Sequence, residues 1–268
     1  MNSEQLRYSV ENSQAPRLII PQFRGRRREA EPRVELLGYA SGDDHLYLVY
    51  EYIPNGSLNE HLHQPILKGH KPLSWTTRTQ IAVDTARGIE YIHDHTKSRY
   101  VHRCIKTSNI LLDEAMRAKV ADFGLAKLVG RTNEDEFLAT RLVGTPGYLP
   151  PESVKELKIT FLDMSRSRLS LTQKESPLNR QIHEIFQDED PESALESFVD
   201  ENLKGSHPME DIYKMAEIAD WCLSENAINR PEMREVVVAL SQIRTSSTEW
   251  EASLGRDSMV FSGVFNGR

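Results

Sequence analysis

A run of polar residues between Tyr100 and Gly124 has the residue types and the spacing of a reactive site. The run contains, in order, His102-Arg103, Lys106, Asn109 and the triplet Asp122-Phe123-Gly124. Two short runs of aliphatic and β-branched residues, Ile110–Leu112 and Ala118–Ala121, flank a polar link between them. This pattern predicts a β-hairpin that holds two polar loops side by side. Imidazole, guanidinium, ammonium, amide and carboxylate groups would then meet in one place.

The spacing of these residues resembles the catalytic loop and metal-binding triplet of protein kinases, H-R-D-L-x-x-x-N followed by D-F-G. Longer stretches resemble plant receptor-like kinases of the LysM type: LVYEY, GSLNEHLH, ARGIEYIHDHT, VHR-x-IK-x-SNILLD, ADFGLAKL and GTPGYLPPES. The resemblance covers Val34 to Lys158 and resumes near Glu184 through to the end. It implies an α+β fold, mainly the helical large lobe of a kinase, and an ancestral transfer of the ATP γ-phosphoryl group to protein Ser or Thr.

The resemblance also implies ATP and magnesium as cofactors and gives roles to the positions that match. Asn109 and Asp122 would hold magnesium on the ATP phosphates, because hard cations bind oxygen ligands. Lys106 would lie near the transferred phosphoryl group and offset its charge. These three residues are therefore the expected phosphate and metal side of the site.

The adenine side of the site would lie where a predicted hairpin ends. Residues 34–52 are predicted to form two strands around the turn Ser41–Asp44, where Gly and Asp suit a tight reversal. Under the resemblance, the second strand leads into a hinge whose backbone groups at Glu51 and Ile53 face the adenine edge. Leu111 would form the floor under the ring. An ordinary hairpin without a ligand is the alternative.

Regulatory and structural positions follow from the same resemblance. Arg103 would pair with a phosphorylated residue in the loop after Gly124, because a phosphate carries nearly two charges and arginine offers it a bidentate fork. The candidates for that phosphorylation are Thr132, Thr140 and Thr145. Glu152, in the stretch that resembles the substrate-docking loop, would form a buried ion pair with Arg230.

Cys104 stands where the kinase family has its catalytic aspartate. That carboxylate would accept the proton of the substrate hydroxyl, a role that typically contributes about 10² to 10⁴ in rate. A thiol is a poor acceptor that is mostly protonated at neutral pH. We interpret Cys104 as a passive replacement. A reactive thiol, favoured by the positive charges of Arg103 and Lys106, is the alternative.

The groups by which kinases grip the nucleotide phosphates are not found upstream in this sequence. A kinase uses a glycine-rich loop, a lysine on the third strand and a glutamate that holds that lysine. No lysine precedes Lys68, and only Gly25 and Gly38 precede the turn at Gly42. We therefore expect residues 34–53 to be a remnant of the small lobe together with the hinge.

Composition excludes several classes of protein. The net charge of −7 argues against nucleic acid as a partner, and the longest apolar runs are too short to span a bilayer. Two cysteines, Cys104 and Cys222, indicate a reducing compartment rather than a disulfide scaffold. The N-terminus lacks the apolar core of a signal peptide. We expect a cytoplasmic chain without a transmembrane span, held at the inner face of the plasma membrane through a partner if at all.

Three stretches carry the apolar stripe that predicts a helix with one buried face. Their members are Ala82, Ala86, Ile89 and Ile92, then Ile212, Met215, Ala216, Ala219, Cys222 and Leu223, then Met233, Val236, Val237, Leu240 and Ile243. The first helix is predicted from Trp75 to about His95. Trp221 is predicted to pack in the core rather than to stack on a ligand.

The predicted domain organisation is a disordered basic arm at 1–33, an incomplete kinase domain at 34–245 and a flexible tail at 246–268. Residues 159–183 are atypical of the family, which has a strongly apolar central helix there. Residues 161–181 read FLDMSRSRLSLTQKESPLNRQ and have no helical stripe. A deletion or a frame change in the gene model would produce this pattern.

Two functional classes follow from the sequence. In the first, the chain is a catalytically deficient pseudokinase that binds partners, either a protein substrate or an intact receptor kinase. In the second, it is a serine/threonine kinase with residual activity. A poorly folded product of a truncated gene model is a third possibility.

Overall fold

The N-terminal part of the chain forms a small antiparallel sheet in the order β1-β2-β3. The structure, a computed structural model, describes residues 17–19, 32–41, 46–96, 99–129, 182, 184–203, 205–224 and 227–262. The three strands are β1 (Arg17–Ile19), β2 (Leu36–Ser41) and β3 (Leu46–Tyr50). The predicted hairpin of residues 34–52 is therefore present. Residues 1–33 were predicted to be disordered, but Arg17–Ile19 within them form β1, whose backbone pairs with β2.

The predicted central hairpin is also present, as β5 (Ile110–Leu112) paired with β6 (Ala118–Val120). Neighbouring segments extend it on both sides. Val34 donates its backbone N–H to the carbonyl of Val120 at 2.8 Å, and the backbone N–H of Leu112 donates to the carbonyl of Gly56 at 2.9 Å. The hairpin is thus held between the chain that enters β2 and the chain that leaves β3. Two further strands, β4 (Arg99–Val101) and β7 (Lys127–Val129), pair antiparallel beside it.

Two helices follow the hinge. Helix α1 (Leu58–His63) begins after Ser57, whose backbone N–H donates to Oε2 of Glu60 at 3.1 Å, as in a capping box. Helix α2 (Trp75–Glu90) begins at the N-cap Ser74 and continues through a π-helical turn at Tyr91–His95. The predicted helix from Trp75 to about His95 is confirmed. Its C-terminal end leads through β4 into the polar loop at His102.

Gly88 lets α2 lie directly against the central hairpin. A Cβ atom at this position would lie 2.6 Å from the backbone carbonyl oxygen of Pro32 and 2.7 Å from Cγ2 of Val120. Real Cβ atoms do not approach other atoms so closely, so a side chain here would force the elements apart. The glycine therefore sets the distance between the long helix and the strand that carries Asp122 at its end.

The remaining core is helical and consists of α3 (Pro191–Phe198), α4 (Met209–Leu223) and α5 (Met233–Ser262). The predicted stripes of α2, α4 and α5 join one hydrophobic core, with Leu223 and Val237 half-buried at its margin. Ile92 is buried in the π-helical turn after α2 but does not belong to that core. Trp221 differs from its prediction, because 40% of its surface is exposed. Ile182, the one residue of the atypical segment 159–183 that the structure describes, is fully buried in this core.

Helix α5 extends well beyond the predicted domain end. The flexible tail predicted from residue 246 is helical as far as Ser262. The physical reason is a buried hydrogen-bonded chain: Nε1 of Trp75 donates to Oγ of Ser247 at 2.8 Å, and that hydroxyl donates to Oδ2 of Asp211 at 2.6 Å. Ser247 is fully buried. These two hydrogen bonds tie the starts of α2 and α4 to the middle of α5.

A buried ion pair joins α2 to the segment that follows α3. Nη2 of Arg78 on α2 contacts Oδ2 of Asp200 at 2.6 Å, and both side chains are almost completely buried. Burial lowers the pKa of Arg78, while the charge of Asp200 acts in the opposite direction.

Helices and small sheets together confirm the predicted α+β class. No helix in the described ranges has the length and apolar character needed to cross a membrane.

Candidate functional site

The two polar loops of the central hairpin meet at Asn109 and Asp122. The amide Nδ2 of Asn109 lies 3.3 Å from Oδ2 of Asp122 and donates to the backbone carbonyl of Cys104 at 2.8 Å. Asn109 is buried, and Asp122 is exposed at the end of β6. Ala121 donates its backbone N–H to the carbonyl of Asn109 at 2.8 Å, which holds the two loops together.

Cys104 lies beside this pair and is 6% exposed. Its Sγ is 3.5 Å from Nδ2 of Asn109, so an amide N–H points toward the sulfur. Its backbone N–H donates to Nδ1 of His102 at 3.2 Å. The residue thus occupies a buried position inside the loop, and it forms no disulfide.

His102 is held as a neutral imidazole. Because Nδ1 accepts from Cys104, the ring proton is on Nε2, which lies 2.9 Å from the carbonyl oxygen of Ala121 and donates to it. Burial lowers the pKa of His102, and the bond to Ala121 opposes that shift. The ring also packs edge-on against Phe123, with the centroids 4.8 Å apart. His102 therefore joins one polar loop to the start of the other.

Two residues at this site have left-handed backbone conformations that L-residues rarely adopt. Arg103 has φ of 64° and Asp122 has φ of 63°. Nε of Arg103 donates to the carbonyl of Leu125 at 2.6 Å, and Oδ1 of Asp122 accepts from the backbone N–H of Gly124 at 3.4 Å. Strained residues of this kind cluster at functional sites and persist because their surroundings hold them.

Lys106 precedes a short 3₁₀ turn, Thr107–Asn109, and is half-buried. Its backbone carbonyl accepts from the N–H of Asn109 at 2.8 Å. Oγ1 of Thr107 donates to Oδ1 of Asn59 on α1 at 3.2 Å. Helix α1 therefore fixes the turn that places Lys106 and Asn109 next to each other.

The hinge predicted at Glu51 and Ile53 is attached to both neighbouring elements. Oε1 of Glu51 accepts from Nζ of Lys119 at 2.7 Å and from the backbone N–H of Glu35 at 2.9 Å. The backbone N–H of Glu51 donates to the carbonyl of Glu35 at 3.0 Å. Ile53 is buried, and Leu111 is half-buried on the hairpin next to the hinge. The structure thus places the three predicted adenine contacts in adjoining segments.

Comparison with known proteins decides the family. Residues 31–239 match the family model of the protein kinase domain. The chain belongs to the protein kinase family.

Similarity to individual kinases is consistent with this assignment. The chain is 46% identical over 258 residues to LysM domain receptor-like kinase 3 of Arabidopsis thaliana, covering 88% of this chain and 40% of that protein. It is 43% identical over 235 residues to chitin elicitor receptor kinase 1 of the same plant, covering 81% and 37%. Serine/threonine-protein kinase PBL27, also from Arabidopsis thaliana, is 34% identical over 86% of this chain and 47% of its own length. The chain therefore spans less than half of these relatives and resembles the LysM type of receptor-like kinase.

Within this kinase domain, Asn109 and Asp122 are the two residues predicted to hold a divalent cation, and their side chains are in contact. The family uses ATP and magnesium, and magnesium prefers carboxylate, amide and water oxygens. The structure brings one carboxylate and one amide side chain to the same place, with the carboxylate exposed and the amide fixed by Cys104. The ligands for a cation would be the carboxylate oxygens of Asp122 and Oδ1 of Asn109, because the amide nitrogen is the atom that contacts Cys104 and Asp122.

Several of the kinase residues predicted from the sequence lie outside the described part of the chain. These are Thr132, Thr140, Thr145 and Glu152. Of their predicted partners, Arg103 contacts Leu125, and Nε of Arg230 donates to the carbonyl of Ser224 at 2.8 Å. The roles predicted for these two arginines stay predictions.

Sequence reasoning missed the residues that support the kinase site. Lys119 and Asn59 hold the hinge and the catalytic loop, yet each is separated from its partner by many residues along the chain. Neither lies in a motif that carries chemistry. The one available signal was the alternation of β6, which places Lys119 on the opposite face from the buried Ala118 and Val120.

Proposed function

We propose that this chain is a receptor-like serine/threonine kinase domain that does not transfer phosphate at a useful rate and acts by binding partners. The observation that supports this most is the identity and environment of Cys104. It is a buried thiol that lies against an amide donor, at the position where kinases keep a carboxylate.

A proton acceptor is needed at this position for the ancestral reaction. The substrate hydroxyl must lose its proton as it attacks the γ-phosphorus, and a positioned base typically contributes about 10² to 10⁴ in rate. The thiol of Cys104 is a weak acceptor. Asp122, the carboxylate beside Asn109, is the proposed magnesium ligand rather than the base. A slow transfer therefore follows from the chemistry of this one residue.

Binding of a nucleotide is a separate matter from catalysis. Asn109 and Asp122 would hold magnesium, which when bound neutralises phosphate charge. Lys106 would add a positive charge, and the hinge backbone at Glu51 and Ile53 would meet the adenine edge above Leu111. Residues 1–67 of this sequence contain no lysine that could pair with the α and β phosphates as in other kinases. We therefore propose weak nucleotide binding.

The proposed partners are a protein substrate of the related kinases or an intact receptor kinase. The similarity to receptor-like kinases supports this class of partner. Such a partner would hold the chain in the cytoplasm at the inner face of the plasma membrane.

A kinase with residual activity is the second candidate. It is favoured by the retained geometry of Asn109 and Asp122, which the two strained loops keep within 3.3 Å. The two candidates differ in turnover, whereas both allow magnesium-dependent binding of a nucleotide.

Thermal unfolding in the presence of a non-hydrolysable ATP analogue tests the binding part of the proposal. We expect a small rise in Tm that requires magnesium, because ligands that bind the folded state stabilise it by mass action. The rise should disappear in Asp122→Ala and persist in Ser108→Ala, a neighbouring exposed residue. A magnesium-dependent rise that Asp122→Ala retains would contradict the assigned metal site. A single cooperative transition would also exclude a poorly folded product.

A further inference from the structure

Lys119 lies where the hinge meets the central hairpin. It is the middle residue of β6, and in the register of β5 and β6 it lies directly opposite Leu111. Residues that are directly opposite in an antiparallel pair have their side chains on the same face of the sheet. Lys119 therefore shares a face of the hairpin with the residue that is predicted to form the floor under adenine.

The side chain of Lys119 reaches from this face to the hinge. Its Nζ donates to Oε1 of Glu51 at 2.7 Å, and the side chains of Lys119 and Glu51 are 15% and 26% exposed. The hydrogen bond joins an ammonium group to a carboxylate, and hydrogen bonds between ionised groups are stronger than neutral ones. Because both groups are mostly shielded from water, this ion pair is screened less by salt than one on the open surface.

The same carboxylate is attached to the chain that enters β2. Oε1 of Glu51 also accepts from the backbone N–H of Glu35 at 2.9 Å, and the backbone N–H of Glu51 donates to the carbonyl of Glu35 at 3.0 Å. Glu51 is therefore attached on one side to the residue before β2 and on the other side to β6. Removing the charge of Lys119 would release the attachment to β6 and leave the backbone hydrogen bond to Glu35 in place.

The far end of the hinge is attached to the hairpin by neutral groups. The backbone N–H of Asn55 donates to the carbonyl of Leu112 at 3.1 Å, and Nδ2 of Asn55 donates to the carbonyl of Asp113 at 2.7 Å. These bonds do not involve Lys119. The hinge is thus fixed to the hairpin at two points, and the Lys119–Glu51 pair is the charged one.

We propose that Lys119 is a positioning residue for the adenine ring of the nucleotide. By holding the carboxylate of Glu51, it keeps the hinge backbone at the distance from Leu111 at which the ring fits between them. This inference rests on the proposed binding of a nucleotide and adds a residue to the adenine side of that site. The phosphates belong to the side of the site at Asp122. Lys119 should therefore affect ligands that contain adenine and leave ligands that contain only phosphate unaffected.

Lys119→Met tests this role, because methionine has a similar length and no charge. Binding of adenosine, magnesium-ATP and magnesium tripolyphosphate to the full chain is measured by NMR titration, which detects weak ligands. We expect the variant to bind adenosine and magnesium-ATP about threefold or more weakly than the wild-type chain. Its affinity for magnesium tripolyphosphate should equal that of the wild-type chain. Lys119→Arg, which keeps the positive charge, should restore the affinity for adenosine.

A cycle of substitutions shows whether Lys119 acts through Glu51. Glu51→Gln should weaken adenosine by about the same factor as Lys119→Met, and the double variant should be no weaker than either single variant, because both changes disrupt one contact. Fully additive losses would overturn the positioning role. The matched control is Lys214→Met, which removes a Lys–Glu pair of 2.6 Å with Glu210 on α4 and should leave the affinity for adenosine unchanged.

The titrations separate this inference from the proposed function. If the wild-type chain binds adenosine and Lys119→Met binds it equally well, the role of Lys119 is wrong and the proposed nucleotide site stands. A loss of affinity for magnesium tripolyphosphate in Lys119→Met would also overturn the inference, because Lys119 would then contact phosphate directly. If the wild-type chain binds neither adenosine nor magnesium-ATP, the proposed nucleotide site is wrong and the role of Lys119 is refuted with it.

Discussion

The side-chain amide of Asn109 lies 2.8 Å from the backbone carbonyl oxygen of Cys104 and donates to it. The same amide lies 3.3 Å from Oδ2 of Asp122. Asn109 therefore holds the loop in which Cys104 stands in place of the family's aspartate, and it also contacts the carboxylate of Asp122. This arrangement explains how the loop keeps its form although its reactive residue has changed.

Replacing Asn109 with alanine should destabilise the protein. The buried carbonyl of Cys104 would lose its donor, and an unsatisfied buried group typically costs about 1–3 kcal/mol. Chemical denaturation measures this as a lower free energy of unfolding. Ser108→Ala, at the exposed neighbouring position, should change that free energy by less than about 0.5 kcal/mol. Equal effects of the two substitutions would contradict the role of the amide.

Ser247→Ala should destabilise the chain by about 1–3 kcal/mol. The substitution removes the acceptor of the Trp75 indole and the donor to Oδ2 of Asp211. Ser253→Ala is the matched control on the same helix, because that serine is exposed. Thermal denaturation of both variants provides the comparison. A wild-type Tm for Ser247→Ala would contradict the stabilising role assigned to these two hydrogen bonds.

Gly88→Ala should also lower the free energy of unfolding, against the usual preference of helices for alanine. Alanine normally stabilises a helix interior by about 1 kcal/mol relative to glycine. Here its Cβ would overlap the carbonyl of Pro32 and a methyl group of Val120, and such overpacking typically costs about 1–3 kcal/mol. Urea titration should therefore show a net loss, with Arg87→Ala at the adjacent exposed position close to wild type. A gain in stability for Gly88→Ala would refute this contact.

Stability should fall as the pH is lowered below the ordinary histidine pKa of 6.5. Burial lowers the pKa values of His102, His61 and His207. The unfolded chain therefore takes up protons at a pH where the folded chain does not. The stabilisation that these lowered pKa values provide is fully present above pH 6.5. It is lost as the pH falls through the pKa values of the histidines in the folded chain. For each proton that only the unfolded chain binds, the free energy of unfolding falls by up to about 1.4 kcal/mol per pH unit.

His102→Gln tests one of these contributions directly. The free energy of unfolding should depend less steeply on pH between about 7 and 5 in this variant than in the wild-type chain. His95→Gln is the control, because the His95 side chain is exposed. Parallel curves for wild type and His102→Gln would mean that His102 titrates alike in the folded and unfolded chain.

The sequence predicted the elements whose signal is local. The aliphatic and β-branched runs on either side of the Asp113–Arg117 link predicted β5 and β6, and the apolar stripe from Ala82 to Ile92 predicted α2. The kinase motifs predicted which side chains meet at Asn109 and Asp122. These features depend on neighbours in the chain, so a single sequence contains them.

Contacts between distant residues could not be predicted in this way. Trp75 and Ser247 are 172 positions apart, and Arg78 and Asp200 are 122 apart. Ser247 looked like part of a polar tail because periodicity does not show that a hydroxyl will be buried against another helix. Trp221 looked like a core residue because it follows a buried stripe, yet it lies at the edge of that stripe. Tertiary packing decides such positions.

Phosphate transfer by the purified wild-type chain tests the central claim most directly. The chain is incubated at stoichiometric concentration with γ-labelled ATP, magnesium and a generic protein acceptor, beside Asp122→Ala as the reference for contaminating kinases. We expect the wild-type chain to incorporate no more label than Asp122→Ala, because Cys104 cannot accept the substrate proton effectively. Stoichiometric incorporation by the wild-type chain that Asp122→Ala abolishes would contradict this account and identify an active kinase.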